Sequence, residues 1–215
     1  MKKQYAVLGL GNFGHSVALT LAGLGCDVVV VDNSMEKVQE IADSVSYAMR
    51  ADLEEPEVIK SLGARNLDGV IIAISENLEA SIMATIVAKE LGIPYVLAKA
   101  KNDLHATILK KVGVDAVVYP EKEMGSRIAK SLVSTNFADW IELSPDFSLV
   151  ETEVPAEWVG KSLIELKVRE KHDVNVVGLV EKNNVNVVLN PEQPLKEHAI
   201  LILIGTNEAL QKFQS

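Results

Sequence analysis

The feature that most constrains the fold is a regular alternation of strand-like and helix-like segments over the first 120 residues. Amphipathic stretches separate six short apolar runs, which read YAVLGL, DVVVVD, VSYAMR, DGVIIAIS, PYVLAKA and DAVVYP. Consecutive parallel strands need crossover connections, usually helices, and these crossovers are right-handed. The pattern therefore predicts an α/β fold with a doubly wound parallel sheet in the strand order 3-2-1-4-5-6.

A G-x-G-x-x-G turn joins the first predicted strand to the first predicted helix, with its glycines at Gly9, Gly11 and Gly14. Glycines in this context let the backbone approach a pyrophosphate, whose charge faces the N-terminus of the helix. Asp32 ends the second strand, 18 residues after the last glycine. An acid there is expected to bond ribose hydroxyls and to disfavour NADP. A glycine turn that holds no ligand is the alternative.

Further polar residues stand at the carboxyl ends of predicted strands. Asp52 follows the third strand, Lys99 ends the fifth, and the fourth is followed by Ser75, Glu76 and Asn77. In this topology those ends line the ligand crevice, so Lys99 is expected to meet a phosphate. Taken singly, each is equally explained as a solvated loop residue or a helix cap, and Asn77 is a good N-cap.

The regular alternation of strand and helix signals ends in the second half of the chain. One helix is predicted from Glu121 to about Phe137, with an apolar stripe that serves either its own sheet or a partner. From Ser144 onward, strand signals dominate, KNN marks a hairpin turn, and WVGKSLIELKVREK is predicted to be one helical stretch. These signals indicate a second, smaller α+β domain, with boundaries at residues 1–120, 121–138 (the crossover helix) and 139–215.

Composition excludes several classes of function. The formal net charge of -9 argues against nucleic acid or an anionic membrane surface as the main partner. Five glycines interrupt the uncharged stretch 4–26, so we expect no membrane span and no signal peptide there. We therefore expect an intracellular protein. A single cysteine excludes a disulfide framework. The four histidines are scattered, so we expect surface or capping roles and no catalytic set.

The combination of several stretches, rather than the glycine turn alone, resembles a known family. VLGLGNFG, VVVVD, GVIIAISEN, VLAKAKND and VDAVVYPEKEMGSRIA are similar to RCK (KTN) proteins, the cytosolic regulatory subunits of Trk/Ktr-type potassium uptake systems. LIELKVREKHDVNVVGLV and HAILILIG resemble that family's C-terminal domain. The resemblance implies a non-enzymatic gating subunit. It also implies cytoplasmic homodimers that assemble into an octameric ring beneath a membrane potassium channel or transporter.

For the N-terminal domain, the resemblance implies binding of ATP or ADP, or of NAD(H). The expected contacts are Gly9, Gly11, Asn12, Phe13, Gly14, Asp32, Asn33, Asp52, Ala73, Ser75 and Lys99. Many relatives carry arginine where this chain has Asn12, which leaves the choice between these nucleotides open. Glu121 is implied as a ligand of Mg²⁺ or Ca²⁺ near the terminal phosphates, because oxygen ligands suit hard cations.

For the C-terminal domain, the resemblance implies cyclic di-AMP at a dimer interface, whose two-fold symmetry matches that of the ligand. Arg169 is expected on a phosphate, the backbone near Asn175 on an adenine edge, and apolar walls at Leu163, Val174, Val176 and Pro191. A solvated Arg169 with core valines is the alternative, and Lys167 stands where an acid is common.

The alternative function for the whole chain is a small NAD-dependent oxidoreductase or a dinucleotide-binding redox sensor.

Overall fold

The computed structural model describes residues 2–63, 66–133, 137–182 and 184–213. The chain forms two compact units, Met1–Glu121 and Lys122–Ser215. Each unit has its own sheet and its own core.

The sheet of the first unit is parallel, and its strand order confirms the prediction. Its strands are β1 (Gln4–Leu8), β2 (Asp27–Asp32), β3 (Tyr47–Arg50), β4 (Gly69–Ile72), β5 (Val96–Lys99) and β6 (Ala116–Val118). They lie in the order β3-β2-β1-β4-β5-β6. The order reverses beside β1, so the ends of β1 and β4 flank the point where such folds bind ligands.

Helices connect these strands, and several begin at side-chain caps. They are α1 (Asn12–Gly23), α2 (Met35–Ile41), α3 (Pro56–Ser61), α4 (Leu78–Glu90) and α5 (Asp103–Val112), with a 3-10 turn at Ala42–Ser44. Ser34 accepts from the backbone N–H of Lys37 at 3.5 Å, and Asn77 accepts from Ala80 at 3.0 Å. The N-cap expected at Asn77 is therefore present in the structure, and Ser34 caps α2 in the same way.

The core of the first unit lies on both faces of the sheet. Successive strand residues point to opposite faces, so Val7 packs with Val28 and Val30 while Leu8 packs with Ile72. Helices α1 and α2 cover the first face, and α3, α4 and α5 cover the second. Burial on both faces explains why these strands read as continuous apolar runs.

One histidine lies in this core, contrary to the surface or capping role expected from the sequence. His105 is 1% exposed, between α4 and α5. Its Nδ1 accepts from the backbone N–H of Lys101 at 3.3 Å, and its Nε2 lies 3.2 Å from the Ser81 hydroxyl. With both ring nitrogens partnered, the imidazole is buried in its neutral form, and burial lowers its pKa.

The helix that follows β6 is shorter than the sequence predicts. Helix α6 spans Pro120–Val133, residues 134–136 lie outside the described part, and Phe137–Glu142 form strand β7. The prediction of a helix reaching Phe137 is therefore wrong. Strand β7 pairs with the next strand, Phe147–Glu153 (β8), with Trp140 opposite Val150, and this antiparallel pairing overrides the helical spacing of the apolar residues.

The second unit contains an antiparallel sheet. Besides β7 and β8, its strands are β9 (Val174–Glu181), β10 (Asn184–Asn186) and β11 (Ile200–Thr206), in the order β10-β9-β11-β8-β7. Strands β9 and β10 form the hairpin that KNN indicates, with Asn184 opposite Glu181. The structure therefore confirms the second α+β fold predicted from the sequence.

Short helices accompany this sheet. They are α7 (Leu163–Leu166), α8 (Val168–His172) and α9 (Asn207–Phe213), with a 3-10 turn at Ala156–Trp158. The prediction of one helical stretch is wrong here, because Lys167 has a φ of 51° and breaks it into two. His172 is half-buried between Trp158 and Phe213, with ring centroids 5.4 and 5.3 Å away. This contact packs α8 against α9 and gives His172 a structural role.

Within the described residues, no helix combines the length and apolarity that a bilayer crossing requires.

Candidate functional site

The glycine turn between β1 and α1 occupies the predicted place at the carboxyl edge of the sheet. Gly9 has a φ of +96°, and its N–H donates to the Val31 carbonyl at 2.8 Å. A Cβ on Gly14 would lie 1.9 Å from the Gly9 carbonyl oxygen, so only glycine fits there. Gly11 precedes α1 without a side-chain cap. The first N–H groups of α1 are thus free of a side-chain cap and suited to an anion.

A crevice of about 250 Å³ opens beside this turn. Seven of the predicted contacts line it, namely Gly9, Gly11, Asp32, Asn33, Asp52, Ala73 and Ser75. Glu76 and Asn77, which the sequence places with Ser75 after the fourth strand, also line it. Sequence reasoning did not predict the remaining lining residues, which are Lys37, Leu53, Glu54, Ile74 and Ala80. They flank the predicted ones in sequence, so proximity to the ends of β2, β3 and β4 was the available signal.

Asp32 holds the base of the crevice together. It is 6% exposed; its Oδ2 accepts from the N–H of Leu10 at 2.6 Å, and its Oδ1 accepts from the N–H of Ser34 at 2.8 Å. One carboxylate therefore fixes both the glycine turn and the start of α2. Each oxygen has a second lone pair, which leaves acceptor capacity for a ribose hydroxyl.

The crevice is rich in carboxylates. Asp32, Asp52, Glu54 and Glu76 line it together with a single lysine, Lys37. The N–H of Glu54 donates to Asp52 at 3.0 Å, and the side chain of Asn77 donates to the Glu54 carboxylate, so these groups form one network. Such a surface favours amino and hydroxyl donors and repels phosphates.

Lys99 lies outside the crevice lining, next to the helix that begins at the glycine turn. Its Nζ is 2.5 Å from Oε1 of Glu121 and 6.0 Å from the centre of the Phe13 ring. The Lys99 side chain is 12% exposed and that of Glu121 is 72% exposed. The hydrogen bond from Lys99 lowers the pKa of the Glu121 carboxyl, so the pair is ionic at neutral pH.

Asn12, Phe13 and Gly14 also lie outside the lining, although all three belong to the first turn of α1. Within the described part of the chain, no cluster of three or more His, Cys, Asp or Glu side chains could hold a metal ion. Glu121 thus offers one carboxylate to a cation, and the remaining ligands would have to come from elsewhere.

The C-terminal contacts predicted from the sequence are only partly brought together. Leu163 and Val176 line a second cavity, whereas Arg169, Asn175 and Pro191 are exposed and lie outside its lining. Val174 is fully buried in the core of this unit and offers no surface to a ligand. The assignment of Val174 to an adenine wall is therefore corrected, since β9 points alternate residues inward.

Comparison with known proteins identifies a family domain in each of the two units. Residues 5–120 match the TrkA-N domain model, and residues 149–215 match the TrkA-C domain model. Ktr system potassium uptake protein C of Bacillus subtilis (strain 168) is 40% identical over 216 residues, which covers 100% of this chain and 97% of that protein. The chain belongs to the TrkA/Ktr family of potassium uptake proteins. The resemblance found in the sequence is therefore confirmed.

Further members of the TrkA/Ktr family align over almost the whole chain. Ktr system potassium uptake protein A of the same organism is 36% identical, covering 99% of this chain and 96% of the relative. The protein of that name from Vibrio alginolyticus is 32% identical, covering 97% and 94%. The similarity to these relatives thus extends over both units described above.

Solved structures show the same fold at lower identity. The GsuK RCK domain matches with a TM-score of 0.68 at 18% identity, and the GsuK channel bound to NAD matches with 0.70 at 16%. Both matches cover 100% of this chain but only 47% and 40% of the longer GsuK chains. They establish that a TrkA/Ktr chain shares its fold with RCK domains.

Proposed function

We propose that this chain is a cytosolic, nucleotide-binding gating subunit of a membrane potassium channel or transporter. Homodimers of the chain assemble into an octameric ring that lies against the cytoplasmic side of that partner. The observation that carries the proposal is the crevice at the glycine turn, in a chain of the TrkA/Ktr family. A ring of such subunits converts a ligand's preference for one conformation into a change of shape that the partner follows.

The ligand of the crevice is ATP or ADP, or alternatively NAD(H). Ribose hydroxyls donate to Asp32, and the amino group of adenine is suited to the network of Asp52 and Glu54. The phosphates lie outside this acidic surface, at the uncapped start of α1 near Lys99. GsuK, which has the same fold, has been solved bound to NAD and bound to ADP, and this supports the same class of ligand.

The nucleotide acts through the ion pair between Lys99 and Glu121. Phosphate oxygens at the glycine turn compete with the Glu121 carboxylate for the Lys99 ammonium, which is 12% exposed. When Lys99 turns to the phosphate, Glu121 is released at the start of α6. A free Glu121 then serves as one oxygen ligand of Mg²⁺ or Ca²⁺, with the phosphates supplying others.

The C-terminal unit adds a second control, by cyclic di-AMP at a two-fold dimer interface. Arg169 and Asn175 are exposed and free to face such a ligand, and Leu163, Val176 and Pro191 supply apolar contacts. Val174 is left out of this proposal because it is buried. A symmetric ligand fits because each subunit offers the same residues to one half of it.

The experiment that tests the proposed function is potassium flux. The chain is co-expressed with the potassium channel subunit of its own genome and reconstituted in liposomes, and rubidium uptake is measured with ATP, ADP and NADH in turn. The proposal expects uptake to change with the nucleotide. Flux that is indifferent to all three, or steady oxidation of NADH with carbonyl substrates, would refute it, and the second result would favour the oxidoreductase.

A further inference from the structure

A buried histidine bonds to the turn that joins β5 to α5, residues 100–102. The side chain of Asn102, the N-cap of α5, accepts from the backbone N–H of His105 at 2.9 Å, so this β5–α5 turn and the start of α5 are held together. His105 is 1% exposed. The proposed function uses neither this histidine nor the backbone of the turn.

The imidazole ties the β5–α5 turn to the start of α4. Its Nδ1 accepts from the backbone N–H of Lys101 at 3.3 Å, and its Nε2 lies 3.2 Å from the hydroxyl of Ser81, which is fully buried on α4. Because a backbone N–H can only donate, Nδ1 carries no proton in this arrangement. The ring is therefore the neutral tautomer with its proton on Nε2.

Two lysines connect this segment with the candidate site. The ammonium of Lys101 is 2.8 Å from the carboxylate of Glu76, which lines the crevice at the glycine turn. The ammonium of Lys99, at the end of β5, is 2.5 Å from Glu121. A movement of the β5–α5 turn would therefore displace both ion pairs.

A second proton on the ring is incompatible with the closed turn. It would have to bind at Nδ1, where the N–H of Lys101 already points, so two donors would face each other. It would also place a positive charge in the core of the first unit. Protonation of His105 therefore requires that the β5–α5 turn move away from the ring.

The charges around the ring do not favour that proton. The charged residues at the ends of the elements nearest to it are Lys99, Lys101, Glu76, Glu79 and Asp103, whereas Lys89, Glu90, Lys110 and Lys111 lie in or beyond the last turns of α4 and α5. Glu76 is paired with Lys101, and Glu79 and Asp103 are exposed. Burial accordingly lowers the pKa of His105 below its usual 6.5.

We propose that His105 is a positioning residue, whose neutral imidazole holds the β5–α5 turn closed and whose protonation releases it. The proton comes from solvent and binds at Nδ1 once the N–H of Lys101 has moved away. An open turn displaces Lys99 and Lys101, so acidity weakens the binding of nucleotide, a step that rests on the proposed function. The chain thereby responds to the proton concentration as well as to a nucleotide.

Amide exchange at Lys101 tests the release without any ligand. Opening frees a histidine of ordinary pKa 6.5, so the protection of this amide should fall by up to about tenfold between pH 7.5 and 5.5. Exchange through a local opening is insensitive to low urea, whereas the amide of Val7, in the buried strand β1, exchanges through global unfolding. Protection of Lys101 that is independent of pH overturns the proposal, and so does exchange that follows Val7 in urea.

Two variants separate His105 from other titrating groups. His105→Gln keeps a side chain that can accept from Lys101 but does not titrate, so the protection of the Lys101 amide should no longer depend on pH. His15→Gln removes the other histidine of the first unit and should leave that dependence intact. A dependence that survives His105→Gln contradicts the proposal. If this variant fails to fold, the comparison of Lys101 with Val7 in the native chain remains decisive.

Calorimetry with ADP tests the link to the nucleotide. From pH 7.5 to 5.5 the native chain should lose up to about tenfold more affinity than His105→Gln, and comparing the two chains cancels the titration of ADP itself. Equal losses in the two chains overturn the link. An absence of ADP binding at pH 7.5 contradicts the proposed function alone, and the exchange at Lys101 then decides the role of His105.

Discussion

Replacing Asp32 by alanine should destabilise the first unit before it affects any ligand. The carboxylate accepts from two backbone N–H groups, those of Leu10 and Ser34, and is 6% exposed. A hydrogen bond to a charged acceptor contributes about 1.5–3 kcal/mol, so losing both should cost about 3–6 kcal/mol. Domains of this size are stable by only about 5–15 kcal/mol. Asp32→Asn keeps one acceptor oxygen and should cost about half as much.

The chain offers a natural assay for this prediction. All four tyrosines lie in the first unit and both tryptophans lie in the second, so urea unfolding of each unit has its own absorbance and fluorescence signal. The tyrosine transition of Asp32→Ala should move to lower urea, and amide exchange at Leu10 should accelerate. The matched control is Asp43→Ala, an exposed acid with an expected effect within about 0.5 kcal/mol.

The affinity for nucleotide tests the second half of the reasoning. Where Asp32→Asn is folded, it should bind ADP about ten- to hundredfold more weakly, because a charge-assisted bond to the ribose becomes a neutral one and the turn loses one anchor. Calorimetry on the folded variant measures this directly. If Asp32→Ala unfolds at the same urea concentration as the unsubstituted chain, the hydrogen bonds to Leu10 and Ser34 do not stabilise the turn as argued. If ADP affinity is unchanged, Asp32 is not a ribose ligand.

The remaining predictions concern three other residues. Glu121→Gln should release Lys99, so ADP should bind more tightly without Mg²⁺, and Mg²⁺ should have a smaller effect on ATP binding. Calorimetry, with Glu123→Gln as the control, measures both changes in affinity. Arg169→Ala should weaken cyclic di-AMP binding about tenfold or more, and undiminished binding removes Arg169 from that site. Because burial lowers the pKa of His105 below 6.5, the unfolded chain takes up its proton first. Stability of the first unit should therefore fall as pH drops below 6.5, and His105→Gln should flatten that slope in tyrosine-detected unfolding; an unchanged slope would contradict it.

The sequence predicted the first unit better than the second, for a physical reason. In a buried parallel sheet each strand is a continuous apolar run, and the glycine turn requires residues that no other side chain can replace, as Gly14 shows. These signals are local. The second unit depends in part on antiparallel pairing between distant segments, such as β8 with β11, and its first strand, β7, begins at Phe137, where the sequence predicts the end of a helix. The left-handed conformation of Lys167 had no local signal, because lysine rarely adopts it.

For the candidate site, the sequence predicted several residues but not the contacts they make. Asp32 was found from its spacing, but its bonds to backbone amides were not, because they depend on how the turn closes over β2. The partner of Lys99 is Glu121, 22 residues away in sequence, and only the fold brings the two together. Val174 and His105 were misassigned because hydrophobicity and residue type say little about which face of an element is covered.

The distribution of charge around the glycine turn bears on which nucleotides a TrkA/Ktr subunit of this kind can distinguish. Under the proposed function, the acids of the crevice contact the adenosine that ATP, ADP and NAD(H) share, so this end does not distinguish them. Discrimination between ATP and ADP must then arise at the phosphates, where these two ligands differ in charge. Asn12 is neutral, so under the proposed function this task passes to Lys99, which must leave Glu121 to perform it. The energy needed to separate that pair sets a threshold that a more highly charged phosphate chain overcomes more readily.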